Sequence, residues 1–263
     1  MRVKLVSIMV DDQDKALKFY TDVLGFVKKQ DFGAGTNRWL TVVSPSEPDG
    51  AELLLEPMGF APARTFQAAL FRAGVPFTAL LADDVTREYD RMTRLGARFA
   101  SRPRKAGPIT LAVFEDTCGN RIQLIQMDVS TSAAPAIRIR LSSVMVADQE
   151  KALKFYTEVL GFTKQTDEPA GGARWITVVS PEDPDGVALT LEPLGFAFAK
   201  TYQKALYDAG IPWTSLMSTD VAKQHQRLTQ RGVRFPTTPS KVGSRTIAVF
   251  DDTCGNLIQI LQP

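Results

Sequence analysis

The chain repeats one pattern twice, and this repeat sets the limits on its fold. Residues 2–126 align with residues 138–262 at a constant offset of 136, without a gap. The segment KALKFYT at 15–21 returns at 151–157, and a closing DTCGN returns in the same way. Two such copies match the usual size of a domain, roughly 100–150 residues. The repeat therefore predicts two domains of one fold, in which every candidate site has an equivalent position in the other copy.

The domain boundaries follow from where the repeat stops. We predict one domain at 1–127 and a second at 138–263. The segment 128–137 between them is small and polar and contains one proline, a composition typical of a linker. This arrangement predicts either a monomer that acts as an internal pseudo-dimer or a homodimer.

The charge balance excludes several classes of partner. The net charge is +2, from 31 basic and 29 acidic residues. Such a balance gives no field that would attract nucleic acid or an anionic membrane. No apolar run reaches the roughly 20 residues of a membrane span, and the N-terminus turns acidic before any signal-peptide core. We therefore expect a cytoplasmic protein that binds neither nucleic acid nor a membrane.

The two cysteines occupy equivalent positions of the repeat. Cys118 and Cys254 each lie in the turn Asp-Thr-Cys-Gly-Asn. A disulfide between them would require the two turns to meet, so the sequence predicts free thiols. Neither cysteine has a neighbouring histidine in the sequence that would lower its pKa, and we expect no catalytic role for them.

Strand and helix signals alternate within each copy and predict an α+β fold. In the first copy, a β-rich segment at 3–10 precedes a helix at 15–24 that Asp12 caps. Three short strands follow, which completes one βαβββ module. After an extra helical segment at 60–73, the same order returns at 76–125. Each copy is therefore expected to hold two βαβββ modules with curved mixed sheets.

The motifs of both copies resemble one superfamily. A strand leads into Asp-x-x-Lys-Ala-Leu-Lys-Phe-Tyr-Thr-x-Val-Leu-Gly-Phe, and a distal Val-Phe-x-Asp-Thr-Cys-Gly-Asn-x-Ile-Gln follows. Together they are similar to the vicinal oxygen chelate superfamily, which includes glyoxalase I, extradiol dioxygenases and the bleomycin-resistance proteins. The resemblance implies paired βαβββ modules that curl into a cup. It leaves the activity open, because lyases, isomerases, oxygenases and simple binding proteins share this scaffold.

In the metal-dependent members of that superfamily, four strands each supply one ligand to a divalent ion. The ligands are usually histidine, glutamine or glutamate. The resemblance carries the first position to Leu5 and Leu141, which cannot bind a metal. The third position, usually a histidine, falls on Phe77 and Trp213.

The fourth position, usually a glutamate, falls on Gln123 and Gln259. At best one carboxylate and one amide then remain in each cup, which is too few donors for a transition metal. The single histidine of the chain, His225, lies on the apolar face of a predicted helix and is expected to pack there. We therefore expect the fold of the superfamily without its metal and without another cofactor.

The second ligand position has two possible registers. A strict count back from the proline of Leu-Glu-Pro gives Leu53 and Leu189, whereas a shifted register gives Glu56 and Glu192. Both glutamates end a strand, where a solvated carboxylate needs no functional explanation. The alternative is that Glu56 and Glu192 act as general bases or pair with a cationic group of a substrate.

Aromatic and amide side chains remain to line the cup. We predict that the ligand-binding residues are Trp39, Phe77 and Gln123 in the first copy and Trp175, Trp213 and Gln259 in the second. These positions suit a small apolar or aromatic molecule. Packing of the same aromatic residues in the core remains an equally good interpretation of their spacing.

Two classes of function follow from these positions. The first is a metal-free protein that binds a small molecule and changes no bonds, as in the bleomycin-resistance branch. The second is a lyase, isomerase or dioxygenase with a divalent metal whose ligands lie elsewhere. Acid–base catalysis without a metal, by Glu56 or Glu192, is a third hypothesis.

Overall fold

The chain folds into two compact units. The computed structural model describes residues 1–34, 37–127, 136–170 and 172–263. The first unit is Val6–Leu141, and the second unit combines Met1–Leu5 with Ser142–Pro263. Both units have the predicted α+β fold, which is thereby confirmed. Most of the predicted linker at 128–137 lies outside the described residues.

The secondary structure of the first copy follows the predicted order of strands and helices. Its elements are β1 (Leu5–Val10), α1 (Gln13–Asp22), β2 (Val27–Ala34), β3 (Asn37–Val43), β4 (Glu52–Pro57), α2 (Ala61–Ala73), β5 (Thr78–Ala82), α3 (Val85–Arg94), β6 (Arg98–Ala106), β7 (Ile109–Glu115), β8 (Arg121–Met127) and β9 (Ile137–Arg138).

The second copy repeats this order. Its elements are β10 (Leu141–Val146), α4 (Gln149–Lys154), β11 (Thr163–Ala170), β12 (Ala173–Val179), β13 (Ala188–Pro193), α5 (Ala197–Asp208), β14 (Thr214–Met217), α6 (Val221–Gln230), β15 (Thr237–Val242), β16 (Arg245–Asp251) and β17 (Leu257–Gln262). Helix α4 continues into a π-helical turn at Phe155–Val159.

The described strands form one sheet for each module. The strand orders are β1-β4-β3-β2 and β6-β7-β8-β5-β9 for the first copy, and β10-β13-β12-β11 and β14-β17-β16-β15 for the second. Strands β5 and β8 are parallel, as are β14 and β17, whereas the hairpins are antiparallel. Mixed pairing arises because the helical crossover of a βαβ unit returns the chain parallel to its first strand.

The first residues of each copy pair with a strand of the other copy. Strand β9 pairs antiparallel with β5 through Leu81 and Arg138. Arg2, which is equivalent to Arg138 in the repeat, forms the corresponding bridge with Met217. The backbone N–H groups of Arg2 and Met217 donate to each other's carbonyl oxygen at 3.0 and 2.8 Å. Both units therefore gain the same added edge.

Helix α1 forms where the sequence predicts it. The Asp12 side chain accepts hydrogen bonds from the first turn of the helix and caps it, as expected. Its buried face consists of Ala16, Phe19 and Tyr20. Gly25 then ends the helical segment with a φ of +80°, a conformation that glycine adopts without a steric penalty.

Helices connect the two modules of the first unit. The ring of Phe19 in α1 stacks on Phe114 in β7, with ring centroids 6.2 Å apart. Arg91 in α3 donates to the carbonyl of Val23, just after α1, at 2.9 Å. The amide of Gln67 in α2 donates to the carbonyl oxygens of Met9, near the end of β1, and of Cys118, in the DTCGN turn. The helical segment between the modules thus fixes one module on the other.

The DTCGN turn of the first unit has a structural role. The Oδ1 atom of buried Asp116 accepts hydrogen bonds from the backbone of Cys118 and Asn120 at 2.8 and 3.0 Å. The Asn120 side chain also donates to the backbone carbonyl of Met9, at 2.8 Å. The turn therefore attaches the start of β8 to the end of β1.

Both cysteines are free and buried, which confirms the prediction of free thiols. Burial raises the pKa of the Cys118 and Cys254 thiols to about 12. In the described part of the chain, no helix has the length and apolar content to cross a membrane.

Candidate functional site

The sheet β1-β4-β3-β2 has one face covered by helix α1. Gln13 in α1 donates to the carbonyl oxygens of Arg38 and Leu55 at 3.0 and 2.7 Å, which fixes the helix on this face. Ile8 and Leu53 are buried there, at 0 and 1% exposed. Because successive side chains of a strand point to opposite faces, the residues between them lie on the other face.

We call this other face the open face. Its residues in the first unit include Ser7, Met9, Gln30, Phe32, Trp39, Thr41, Glu52, Leu54 and Glu56. The centre of the open face is buried, since Thr41 and Leu54 are 0 and 8% exposed. Its margin is accessible, since Phe32 is 44% exposed and Glu56 is also exposed.

The structure resolves the register that the sequence left open. Leu53 and its equivalent Leu189 are buried side chains of the helix-covered face, so the strict count does not give a position in the cup. Glu56 and Glu192 lie on the opposite face of β4 and β13. Sequence spacing alone cannot decide between these registers, because a shift by one residue exchanges the faces of a strand.

Glu52 is held in a fixed orientation on the open face. The amide of Gln30 donates to both Glu52 oxygens, at 2.9 and 2.8 Å. The Thr41 hydroxyl donates to the Oε2 atom of Glu52 at 2.5 Å. Thr41 lies on β3, the neighbour of β4, and Gln30 lies on β2, one strand further in the sheet order. Their three hydrogen bonds leave acceptor capacity on the carboxylate. A ligand on this face can therefore meet a preoriented acceptor.

Glu56 lies near the end of β4, four residues after Glu52. Partial desolvation raises the pKa of its carboxyl group, and a hydrogen bond with the Ser7 side chain lowers it by a smaller amount. Desolvation likewise raises the pKa of half-buried Glu192 in the second unit. An accessible carboxylate with a raised pKa can accept a proton or pair with a cationic group.

The predicted tryptophans lie at the margin of the open face. Trp39 pairs across the strands with Phe32, and their rings stack with centroids 6.3 Å apart and an angle of 20°. Trp175 pairs instead with Glu168 and is 37% exposed. Accessible aromatic rings on a sheet offer a flat surface for stacking.

The positions of Phe77 and Trp213 give them packing roles. Phe77 meets Phe66 of α2 edge to face, at a centroid distance of 6.4 Å. Trp213 meets Tyr202 of α5 in the same way at 5.7 Å, and its indole N–H donates to the carbonyl of Ser143 at 2.8 Å. Phe77 thus packs on α2, and Trp213 contributes to the contact between the modules of its unit.

Gln123 and Gln259 lie on the second sheet of their units. Gln123 pairs with Val113 and Ala79, between two fully buried neighbours, and is itself half-buried. Gln259 accepts a hydrogen bond from the Ser215 hydroxyl at 3.0 Å. Gln123 therefore belongs to a different sheet from Trp39, and Gln259 to a different sheet from Trp175.

The first ligand position of the superfamily carries no metal donor in either copy. Leu5 and Leu141 occupy the first ligand position, and among the described residues no three His, Cys, Asp or Glu side chains group around a common point. His225 is half-buried against Phe235, with ring centroids 4.5 Å apart. It has the packing role predicted for it.

The open face of the second unit differs in polarity. Thr166 and Thr177 replace the Gln30 and Thr41 pair, and their hydroxyl oxygens lie 2.7 Å apart. Ala188 stands where the first unit has Glu52. Of these two equivalent positions, only the one in the first unit therefore carries a carboxylate.

Sequence reasoning missed the roles of Gln30 and Thr41. The two-residue periodicity of β2, β3 and β4 carries the necessary signal, because it places 30, 41 and 52 on one face. Their alignment requires the cross-strand register, which a bulge between Lys28 and Gln30 shifts. The difference between Glu52 and Ala188 is visible in the repeat itself.

Comparison with known proteins gives relatives for both copies. Residues 2–124 and 138–260 match the model of the Glyoxalase/Bleomycin resistance protein/Dioxygenase superfamily. The uncharacterized protein YurT of Bacillus subtilis is 53% identical over 126 residues, which are 48% of this chain and 99% of YurT. An uncharacterized protein of Shewanella frigidimarina is 34% identical over 127 residues, which are 47% of this chain and 91% of that protein.

The fold of the whole chain also has a counterpart among solved structures. Glyoxalase I from Zea mays superposes with a TM-score of 0.71 at 17% sequence identity, covering 99% of this chain and 92% of that chain. At this level of identity the similarity concerns the fold.

Proposed function

Because the chain belongs to the glyoxalase/bleomycin resistance protein/dioxygenase superfamily, we propose that it binds a small, largely aromatic molecule on the open face of the first unit. Binding requires no transition metal and changes no covalent bond. The observation that supports this proposal is the preoriented carboxylate of Glu52 on the same sheet face as the stacked rings of Phe32 and Trp39. The cross-strand pair of Gln30 and Thr41 lies between them.

The chemistry of the open face limits the ligand. Aromatic side chains favour a planar apolar body through stacking and burial. The Glu52 carboxylate keeps acceptor capacity after its bonds to Gln30 and Thr41, so it favours a ligand with an N–H or O–H donor. A protonated amine gains most, because its hydrogen bond to a carboxylate is charge-assisted.

The second unit serves as an internal comparison. Its open face keeps Trp175 and Glu192 but has Ala188 in place of Glu52. We expect it to bind both neutral aromatic molecules and aromatic amines less well, because Glu168 replaces Phe32 opposite the tryptophan and Ala188 replaces Glu52. The two units should therefore have unequal affinities for the same amine.

A thermal-shift panel of aromatic amines and their neutral isosteres tests this function. Each compound is measured with EDTA and with added Mn²⁺, Ni²⁺ or Zn²⁺, on the wild type, Glu52→Ala and Ala188→Glu. We expect stabilisation by amines that does not depend on metal, is reduced in Glu52→Ala and is increased in Ala188→Glu. Stabilisation that appears only with a metal ion would favour the metal-dependent enzymes of the superfamily instead.

A second function, proton transfer by Glu56, is favoured by the raised pKa of this accessible carboxyl and its contact with Ser7. It requires a ligand with an acidic C–H group bound near the end of β4. Exchange of substrate hydrogen for deuterium in D₂O, followed by NMR, measures it directly. We expect exchange in the wild type and its loss in Glu56→Gln while binding is retained, whereas equal exchange in both proteins would exclude this role.

A further inference from the structure

The second unit contains a small polar cavity away from every position predicted from the sequence. Its volume is about 130 Å³, and its lining includes Met1, Leu160, Phe162, Glu182, Gln224 and Arg227. Pockets for drug-sized ligands have volumes of roughly 300–1,000 Å³, so this cavity suits only a much smaller molecule.

Arg227 brings positive charge to the cavity wall. Its Nε atom donates to Gln224 at 2.9 Å, and its two terminal nitrogens donate to the carbonyls of Val159 and Leu160 at 3.0 and 3.2 Å. A guanidinium has five N–H bonds. Two of them therefore have no partner among the described residues. The guanidinium is also desolvated, and this lowers the pKa of Arg227.

The equivalent arginine of the first unit has a carboxylate partner. Arg91 contacts buried Glu88 through its Nε and Nη2 atoms, at 2.7 and 2.6 Å. Gln224 replaces this glutamate in the second unit, so the guanidinium of Arg227 keeps its place but loses its neutralising partner. The replacement leaves a charge that another anion can balance.

The other charged groups of the lining do not remove this excess. Glu182 supplies the carboxylate of the lining, but the backbone amine of Met1 donates to it at 2.6 Å and neutralises it. Arg231, directly after α6, adds a further positive charge that acts on Arg227, whereas the charge of Glu182 acts on it with the opposite sign. Two arginines and the Met1 amine therefore stand against one carboxylate, which leaves an excess of positive charge.

We propose that this cavity binds a small oxyanion, such as inorganic phosphate, through the guanidinium of Arg227. The planar fork of a guanidinium matches two oxygen atoms of a phosphate or sulfate, and such bonds are among the stronger hydrogen bonds of proteins. The site lies in the second unit and is separate from the open face of the first, so neither proposal depends on the other.

The test uses the full chain and inorganic phosphate. The melting temperature is measured against phosphate concentration, with chloride adjusted to keep the ionic strength constant. Gln224→Glu gives Arg227 the partner that Arg91 has in the first unit. Gln226→Glu, on the exposed side of the same helix, adds the same charge outside the cavity and is the matched control.

We expect a saturable rise in the melting temperature of the wild type and of Gln226→Glu. In Gln224→Glu the apparent phosphate affinity should fall by at least about tenfold, because the guanidinium is already paired. An absent rise in the wild type, or an equal rise in Gln224→Glu, would overturn the proposal. Since Glu88 and Arg91 show that the introduced pair is compatible with this fold, a loss of affinity does not reflect unfolding.

Discussion

The hydroxyl of Tyr20 donates a hydrogen bond to the buried carboxyl of Asp116 across 3.2 Å. The two residues are 96 positions apart in the sequence, and their contact connects helix α1 to the DTCGN turn. Tyr156 and Asp252 repeat it in the second unit at 3.1 Å. The KALKFYT and DTCGN motifs are therefore two halves of one buried contact, which explains why the chain carries them together in each copy.

We predict that Tyr20→Phe lowers the free energy of unfolding by about 1.5–3 kcal/mol, the range for a hydrogen bond to a charged group. Urea denaturation at pH 7 measures this loss. Tyr207→Phe is the control, because Tyr207 donates to Asp251 near the surface, and its loss should be smaller. Equal losses in the two variants would contradict a special role for the buried pair.

The same contact has a pH dependence. Burial raises the pKa of Asp116 above its value in the unfolded chain, so the folded state keeps this proton to a higher pH. Stability should therefore decrease as the pH rises from about 4 through the folded pKa of Asp116. In Tyr20→Phe the carboxylate has lost a donor, its pKa rises further, and the decrease should be larger. A smaller decrease in the variant would contradict this assignment.

The thiols should react slowly in the folded protein. A pKa of about 12 for Cys118 and Cys254 leaves very little thiolate at pH 8, and both side chains are buried. We predict that a thiol reagent labels both residues at least about 100-fold more slowly in the folded protein than in urea, where thiols have a pKa of about 8.5. Mass spectrometry of timed samples measures this ratio. Rapid labelling of one cysteine at pH 8 would show that its turn opens.

Binding of aromatic amines should depend on the ionisation of Glu56. Because desolvation raises the pKa of its carboxyl, the carboxylate forms at a higher pH than in an ordinary glutamate. Affinity for an amine should therefore increase as the pH rises through that pKa, and Glu56→Gln should remove this part of the pH profile. Isothermal titration between pH 4 and 7 provides the measurement. A neutral isostere is the control, and an unchanged profile in Glu56→Gln would rule out this contribution.

Much of the fold is predictable because the repeat, the Asp12 cap and the strand periodicity agree with one another. The role of Gln67 is not predictable, since it donates to the carbonyls of Met9 and Cys118, 58 and 51 residues away in the sequence. A single polar residue on the buried face of α2, among Ala63, Phe66 and Leu70, carries no local signal of such partners. Long-range pairing, rather than local propensity, decides this part of the structure.

The candidate site shows the same division. Alternation along β4 predicts that Leu53 and Glu56 differ in face, but only the packing of α1 determines which face is covered. The motif of the superfamily points to Phe77, which packs against Phe66. The side chain with free acceptor capacity is instead Glu52, to which Gln30 and Thr41 donate. The repeat marks Glu52 as a difference from Ala188, and the cross-strand register then gives that difference a physical meaning.

The most direct test of the proposed function uses Trp39 as the sole tryptophan. In the double variant Trp175→Phe, Trp213→Phe, its fluorescence is titrated with planar aromatic amines in the presence of EDTA. We predict a saturable change in emission that weakens when Glu52→Ala is added to this background. If no amine in a broad panel changes the emission or the melting temperature, or if a change requires a divalent metal, the open face of the first unit does not bind its ligand as proposed.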